Sequence, residues 1–456
     1  MHRILALLAL LAGAIGAAAL TSIAAGSADR TAQAIPGLRG TIWVTNRVLN
    51  NVTVFDPATG GVVATIPTGR SSADVAVSQR AGKAYVTNET DNSISVISTS
   101  SRSVVGTIAV GAVPHHIKVS QDGRRIYFGE FGTNKIGVID TRTDAFTEFA
   151  ASTNAAARSH SPFPSRDGKT VFVANEIGDE VVALDAATGQ ARFTVSPGSR
   201  PSEVLSTPDG RSLYIAMRGE NKLKLLDLTT RAITRELTVG TQPDTLQLTP
   251  DGRTLVIGLR GQPAQMAFVD TASFTVSSTI TIGGIGTTAA HEWLSASGRY
   301  VYAVFEGPGA GIAVIDRTAN SVVGTLPYPG GGRPHGVYYA DPAAIEGPGL
   351  TVEAQTARAG RSPAVRVAIG CGAGTIVDCR ARVSAFAIGV GNLPGGGAAT
   401  IAAGSSRAVT LVLSAPARRA LDRNGSLRVR VRVTAFDRLD SGKTVLRTVV
   451  LRAGRT

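Results

Sequence analysis

Between Gly40 and Pro342 short apolar runs alternate with polar turns in one recurring order. A run ending in Asn or a charged residue is followed by a short turn, a second run closing on Asp, and a third run. A Pro- or His-containing loop, a fourth run and an Asp-Gly turn complete the unit. The second runs make the repeat plain: Asn51–Asp56, Asn92–Ser98, Asn134–Asp140, Glu180–Asp185, Asn221–Asp227, Gln265–Asp270 and Gly311–Asp316. Four β-runs at a spacing of roughly 42 residues predict one small sheet per repeat, packed radially against its neighbours. Seven such repeats predict an all-β chain built on a seven-bladed β-propeller over 40–342.

The repeats also predict how the ring closes. The first begins at its second strand, Thr41–Thr45, and a surplus first-type strand, Gly336–Ala340, follows the last. One blade should therefore take three strands from the N-terminal side and one from the C-terminal side, a latch that leaves no open sheet edge.

Past Asp341 the pattern changes. Residues 343–349 read as a Gly/Pro linker, and 350–456 as a second module of short alternating strands. Expected strands are Thr351–Gln355, Ala364–Ile369, Arg380–Ala387, Ala408–Ser414, Leu427–Phe436 and Thr444–Arg452, with a single helical turn over Ala417–Leu421. That content fits a small antiparallel sandwich of immunoglobulin-like type. In Arg428–Val433 three Val alternate with three Arg, so period two sets an apolar face against a basic one. The runs Gly330–Gly332 and Gly395–Gly397 read as plain loops.

Charge is concentrated in this second module. It carries 17 Lys and Arg against 5 Asp and Glu, nearly all of the chain's net +13. An Arg-striped sheet suits an acidic envelope polymer. Nucleic acid is disfavoured, because only Phe386 and Phe436 are available for base stacking. Cys371 and Cys379 are the two cysteines, and in an exported protein the expectation is a disulfide between them. Export itself is read from residues 1–28: Arg3, an apolar stretch from Ile4 to Ala19, then small residues with cleavage after Ala25 or Ala28. The alternative is an uncleaved N-terminal membrane anchor. A closed propeller has no obligatory partner edge, which points to a monomer.

The candidate chemistry lies in the histidines. Apart from His2, all five fall at two adjacent repeat positions just before the innermost strand: His115 and His116, His160, His291 and His335. The remaining repeats place Asp74, Glu203 and Asp244 there. Loops at that position surround one mouth of a propeller channel, so these side chains should form a ring. Arg218 and Arg260 follow the second strands and should face the same mouth, as should Glu89, Glu176 and Glu306.

Three uses of such a ring are open. Its members can bond neighbouring backbone, as a binding or scaffold protein of the cell envelope would need, with the mouth as its ligand site. Imidazoles of His115, His160, His291 and His335 can instead hold zinc, copper or iron. A histidine can also act as general base in a hydrolase, with Arg218 or Arg260 steadying an oxyanion. A scaffold predicts imidazoles bonded to carbonyls, whereas a reaction centre predicts several brought to one point. The binding protein leads on sequence, and a hydrolase or metal-dependent enzyme is the alternative.

Tyr85-Val86-Thr87-Asn88, with close variants at Trp43–Asn46 and Phe172–Asn175, resembles the tetrapeptide of the YVTN β-propeller repeat family. Thr207–Gly210 and Thr249–Gly252 are similar to that family's Ser/Thr-Pro-Asp-Gly turn. The resemblance covers about 40–342 and implies the propeller fold. It carries little about activity. In the tetrapeptide the Asn is expected to bond turn backbone. Pro114-His115-His116 and Pro334-His335 resemble the Pro-His stretches of seven-bladed lactonase propellers, which is what implies the hydrolase alternative.

Overall fold

The computed structural model of the protein describes Leu38, residues 40–340 apart from Ala296, and backbone segments between 350 and 453. The expected N-terminal leader and the 343–349 linker lie outside the described residues. Among the described residues no helix is long and apolar enough to cross a membrane.

Seven four-stranded antiparallel sheets form a closed propeller. Blade one joins Thr41–Asn46, Asn51–Phe55 and Val62–Pro67 to Pro334–Ala340, which is the predicted latch. Blades two to seven begin with the strands Ser72–Ser78, Pro114–Val119, Ser159–Pro164, Pro201–Ser206, Pro243–Leu248 and Thr288–Leu294. These six and Pro334–Ala340 pack against one another around the axis. Burial falls along each blade: Ser72–Ser78 is buried throughout, whereas the outermost strand of the same blade, Ser103–Ala109, is almost wholly exposed.

The core is the space between blades. Val52 and Val54 of blade one meet Val75, Val77 and Val86 of blade two, with Trp43 and Tyr338 in the same cluster. Alternate residues of each strand serve the two neighbouring interfaces, which is why the second strands are apolar on both faces.

Turn chemistry holds the loops that enter the inner strands. Asn50, Asn92, Asp179 and Asn221 are left-handed, with φ between 48° and 58°. Their side-chain oxygens accept the N–H groups of Ser71, Val113, Arg200 and Gln242 at 2.7–2.9 Å. Asn and Asp tolerate this backbone region best after Gly. Asn92→Ala keeps the strained backbone and loses the hydrogen bond, so it should cost about 2 kcal/mol in denaturant unfolding. A cost below about 0.5 kcal/mol would mean that the loop before Pro114 is held some other way.

The second module contains Leu350–Val352, Thr356–Ala359, Ala364–Cys371, Cys379–Ala387, Gly391–Ile401, Ser406–Val412, Ser426–Phe436 and Gly442–Ala453, with a helix over Ala415–Asn424. Strands stand where six were expected, and the single helical turn extends to ten residues. Gly395–Gly397 are a correction: they lie inside the strand Gly391–Ile401, which pairs with Cys379–Ala387 across an irregularity between Val383 and Ala385. Glycine suits an irregular, closely approached strand, a use that the loop reading overlooked. Gly330–Gly332 are a turn, all three at positive φ. The expected disulfide falls on cysteine side chains outside the described residues.

Candidate functional site

Each innermost strand carries a register shift at its start. In blade three Pro114 pairs with Glu130 and Ile117 with Phe128, so His115 and His116 together oppose Gly129. The same irregularity places His335 and Gly336 opposite Thr45, Ala73 and Asp74 opposite Thr87, and Ala290 and His291 opposite Val304. It recurs at His160, at Ser202 before Glu203, and at Asp244. A bulge re-aims side chains that regular alternation would send to opposite faces. The ring residues thus sit on the strand, at a bulge, and not in the loop before it; the sequence shows the polar positions but not the pairing. The Thr of the tetrapeptide fastens the bulge: Thr45 and Thr87 hydroxyls accept the N–H groups of Gly336 and Asp74 at 2.8 and 2.9 Å. The Asn has more varied work. Asn46 bonds turn backbone at Val48, Leu49 and Arg333, whereas Asn88 bonds Ser93 and Ser95 hydroxyls.

The five imidazoles form one continuous cluster. His116 lies at its centre, with ring centroids 4.4 Å from His115, 4.3 Å from His160 and 4.5 Å from His291. His335 lies 4.8 Å from His291 and 6.1 Å from His115. Burial holds every one of these rings below the ordinary histidine range, His160 at about 3, so the rings are neutral. Among the described residues only His160 bonds a backbone carbonyl, Nδ1 donating to Ser202 at 2.8 Å. Buried ring nitrogens of His116 (Nδ1), His291 (Nε2) and His335 (Nε2) have no hydrogen-bond partner among the described residues. His115, His116 and His160 each offer a ligand atom within 4.8 Å of the others, and so do Asp74, His116 and His291. The four histidines expected to share one metal therefore fall into two groups, with His116 common to both and His335 apart.

A shell of carboxylates and guanidinium groups orients the rings. His115 Nδ1 lies 2.6 Å from Glu89, which also takes Arg47 at 2.7 Å. His335 Nδ1 lies 2.5 Å from Glu306, which also takes Arg333 at 2.8 Å. A carboxylate only accepts, so Nδ1 of both rings carries the proton and Nε2 the lone pair. Glu176 receives Arg200 and Arg218 and stands 3.5 Å from His160. Asp244 takes Arg218 in a very short contact and Arg260 at 3.1 Å. Burial pushes Asp244 up, but these two guanidinium groups win and hold it well below the usual carboxylate range. Arg218 is thus committed to Glu176 and Asp244. Arg218→Met would leave two buried carboxylates short of a partner and should cost about 3 kcal/mol. Combining it with Asp244→Asn should recover part of that loss in a double-mutant cycle.

Further along the inner strands the predicted Glu203 belongs to a second charged group, two members of which, Lys118 and Glu292, sequence reasoning missed. Lys118 Nζ meets Glu203 at 2.6 Å, and Glu292 accepts the Thr245 hydroxyl in a very short contact. Lys118 and Glu292 stand where the other repeats place mostly Val, Leu, Ile or aromatic residues, and that departure was the available signal. Burial, above all, pushes Glu292 up to about 8 and Asp74 up to about 7. Beside the ring, Gln262, Thr288, Glu306 and Arg333 line a cavity of about 380 Å³.

These features define a seven-bladed propeller with a histidine-lined channel mouth. Residues 109–269 match the family model described as lactonase, 7-bladed β-propeller. No curated protein matches the chain. Among solved structures, Kuenenia stuttgartiensis hydrazine synthase is similar with a TM-score of 0.54 and 20% identity, over 61% of this chain and 92% of that one. A putative 6-phosphogluconolactonase from Bacteroides uniformis gives 0.54 and 15%, over 66% of this chain and 99% of that one. One from Bacteroides fragilis gives 0.55 and 16%, over 67% and 99%. At these identities the likeness is one of fold.

Proposed function

We propose that this protein is a metal-dependent hydrolase of lactonase type, working at the histidine-lined mouth. The observation that carries the reading is a continuous cluster of five buried, neutral imidazoles, three of which (His116, His291 and His335) keep a ring nitrogen without a partner among the described residues. A buried polar atom without a partner costs about 1–3 kcal/mol, and a borderline metal ion is the partner that several converging imidazoles suit. His115, His116 and His160 would hold zinc, copper or iron, and Glu89 would fix the His115 tautomer from behind, as carboxylates do behind ligating histidines. A bound ion would polarise a carbonyl and lower the pKa of water.

The rest is work for the chain's own groups. Glu306 orients His335 so that its unpartnered Nε2 can take a proton from water, close to the 380 Å³ cavity that would admit the substrate. The reaction class comes from the lactonase match over a stretch that carries His115, His116, His160, Arg218 and Asp244. Two of the similar folds are also described as putative 6-phosphogluconolactonases. The scaffold reading would spend the imidazoles on carbonyls, and His160 alone does so. The same proposal takes the propeller as YVTN-type, exported and monomeric, with the basic second module, an immunoglobulin-like sandwich, facing an acidic envelope polymer.

The test is elemental analysis of protein purified without chelator, together with hydrolysis rates on γ- and δ-lactones. Bound metal should be near stoichiometric, and chelation should abolish hydrolysis until metal is restored. Hydrolysis that survives chelation would sink the metal role, and loss of both would return the mouth to a ligand-binding site.

A further inference from the structure

We propose that the mouth holds two metal ions, the second on Asp74, His116 and His291, with the His116 imidazole shared between the two sites. The inference rests on the metal reading above and extends it to a site that His115, His116 and His160 do not form.

Register supplies the first support. Asp74, His116 and His291 all occupy the second residue of their bulges, on blades two, three and seven. Blade one stands between blades seven and two, and its residue at that position is Gly336. A Cβ there would lie 2.5 Å from Asp74 Oδ1 and 2.6 Å from Asp74 Cα. The missing side chain is what lets His291 Nδ1 come within 3.7 Å of Asp74 Oδ1 across the intervening blade.

Charge supplies the second. Asp74, Glu203 and Glu292 are at most 4% exposed, and Lys118 is the ammonium among them, paired to Glu203 at 2.6 Å. Arg47, the guanidinium group that acts on His291, is paired to Glu89, and Arg218 and Arg260 are committed to Asp244. Three buried carboxyl groups share one ammonium, so Asp74 can ionise fully only beside a further cation, which a metal ion would supply. Asp74 accepts the N–H groups of Val75 and Ile117, one on each oxygen, and each oxygen keeps a lone pair for a ligand.

Donor availability supplies the third. His116 Nδ1 is buried without a partner among the described residues, His291 turns Nδ1 toward Asp74, and His116 is the one ring common to both groups. Serving both sites requires His116 to bind through each nitrogen, which releases its remaining N–H proton to solvent. The two ions are then linked by one imidazolate.

Zinc stoichiometry of the purified protein tests this, measured after chelation, reloading with excess zinc chloride and gel filtration. Two zinc ions per chain are expected, falling to one in Asp74→Asn and in His291→Gln, and to one in His160→Gln by loss of the other site. Copper(II) loading gives a readout independent of folding in the variants: coupling through a shared imidazolate should depress the paramagnetic resonance intensity per copper. One zinc in the wild type, unchanged by Asp74→Asn, would overturn the second site and leave the first standing. Two ions with full, uncoupled copper intensity would overturn the shared ring. No zinc at all would overturn the metal reading of the mouth together with this extension of it.

Discussion

His335→Gln is expected to lower lactone hydrolysis by about 10²–10⁴-fold while the protein keeps the metal held by His115, His116 and His160. The expectation follows from the Glu306–His335 pair. Glu306, which lines the cavity, accepts from Nδ1 at 2.5 Å, so Nε2 is the basic nitrogen, and it is buried without a partner among the described residues. Glutamine can still donate to Glu306, so the pair's packing survives, but an amide cannot take a proton from water near neutral pH. The loss should fall on kcat, with KM little changed, because the ring is asked to move a proton and not to bind the substrate. Glu306→Gln should be the milder change, since it removes the orienting carboxylate and leaves the imidazole. Metal content separates this from a ligand role. If His335→Gln loses metal in proportion to activity, His335 belongs to the metal set, as the sequence reading placed it.

Much of the fold was legible because repetition turns a weak signal into a strong one. A single run such as Asn134–Asp140 is ambiguous, but seven of them in one order leave a propeller as the outcome. The latch was legible for the same reason: a strand missing at one end and surplus at the other can only be completed by joining them. The site was half legible. His and carboxylate at two adjacent repeat positions marked the ring, because polar residues are rarely so placed in seven consecutive repeats. Which imidazoles would meet was not, since that depends on bulges that pair two residues with one and on Gly336, whose role is to be absent from the channel. Arg218 shows the same limit. The sequence put it at the mouth, whereas its guanidinium is consumed by Glu176 and Asp244, partners from two other blades.

The chelated protein is expected to be most stable near neutral pH and to lose stability steadily as the pH falls from 6.5 to 4.5. In the unfolded chain the five ring histidines titrate close to 6.5. In the folded chain burial holds all five lower, His160 at about 3. Below 6.5 the unfolded state therefore binds protons that the native state refuses, and stability falls with pH. Two carboxyl groups oppose this. Burial raises Asp74 to about 7 and Glu292 to about 8, so between about pH 4 and those values the native state keeps protons that the unfolded state has released. Five rings against two carboxyls leave the unfolded state the larger proton binder throughout the acid window. Above about pH 7 the rings of the unfolded chain have lost most of their protons, the two raised carboxyls outweigh them, and the sign reverses until they too ionise near pH 8. Glu203, also raised by burial, pulls in the carboxyl direction and flattens the acid limb without inverting it. Zinc binds the neutral rings, so saturating zinc should lift stability at pH 7 and lose its effect as the rings protonate. Denaturant unfolding in a pH series, with and without zinc, reads all of this. A curve flat from pH 4.5 to 6.5 would mean that the rings take up protons within the fold. The cluster would then be a solvated cationic mouth rather than the dry, neutral donor set on which the metal chemistry depends.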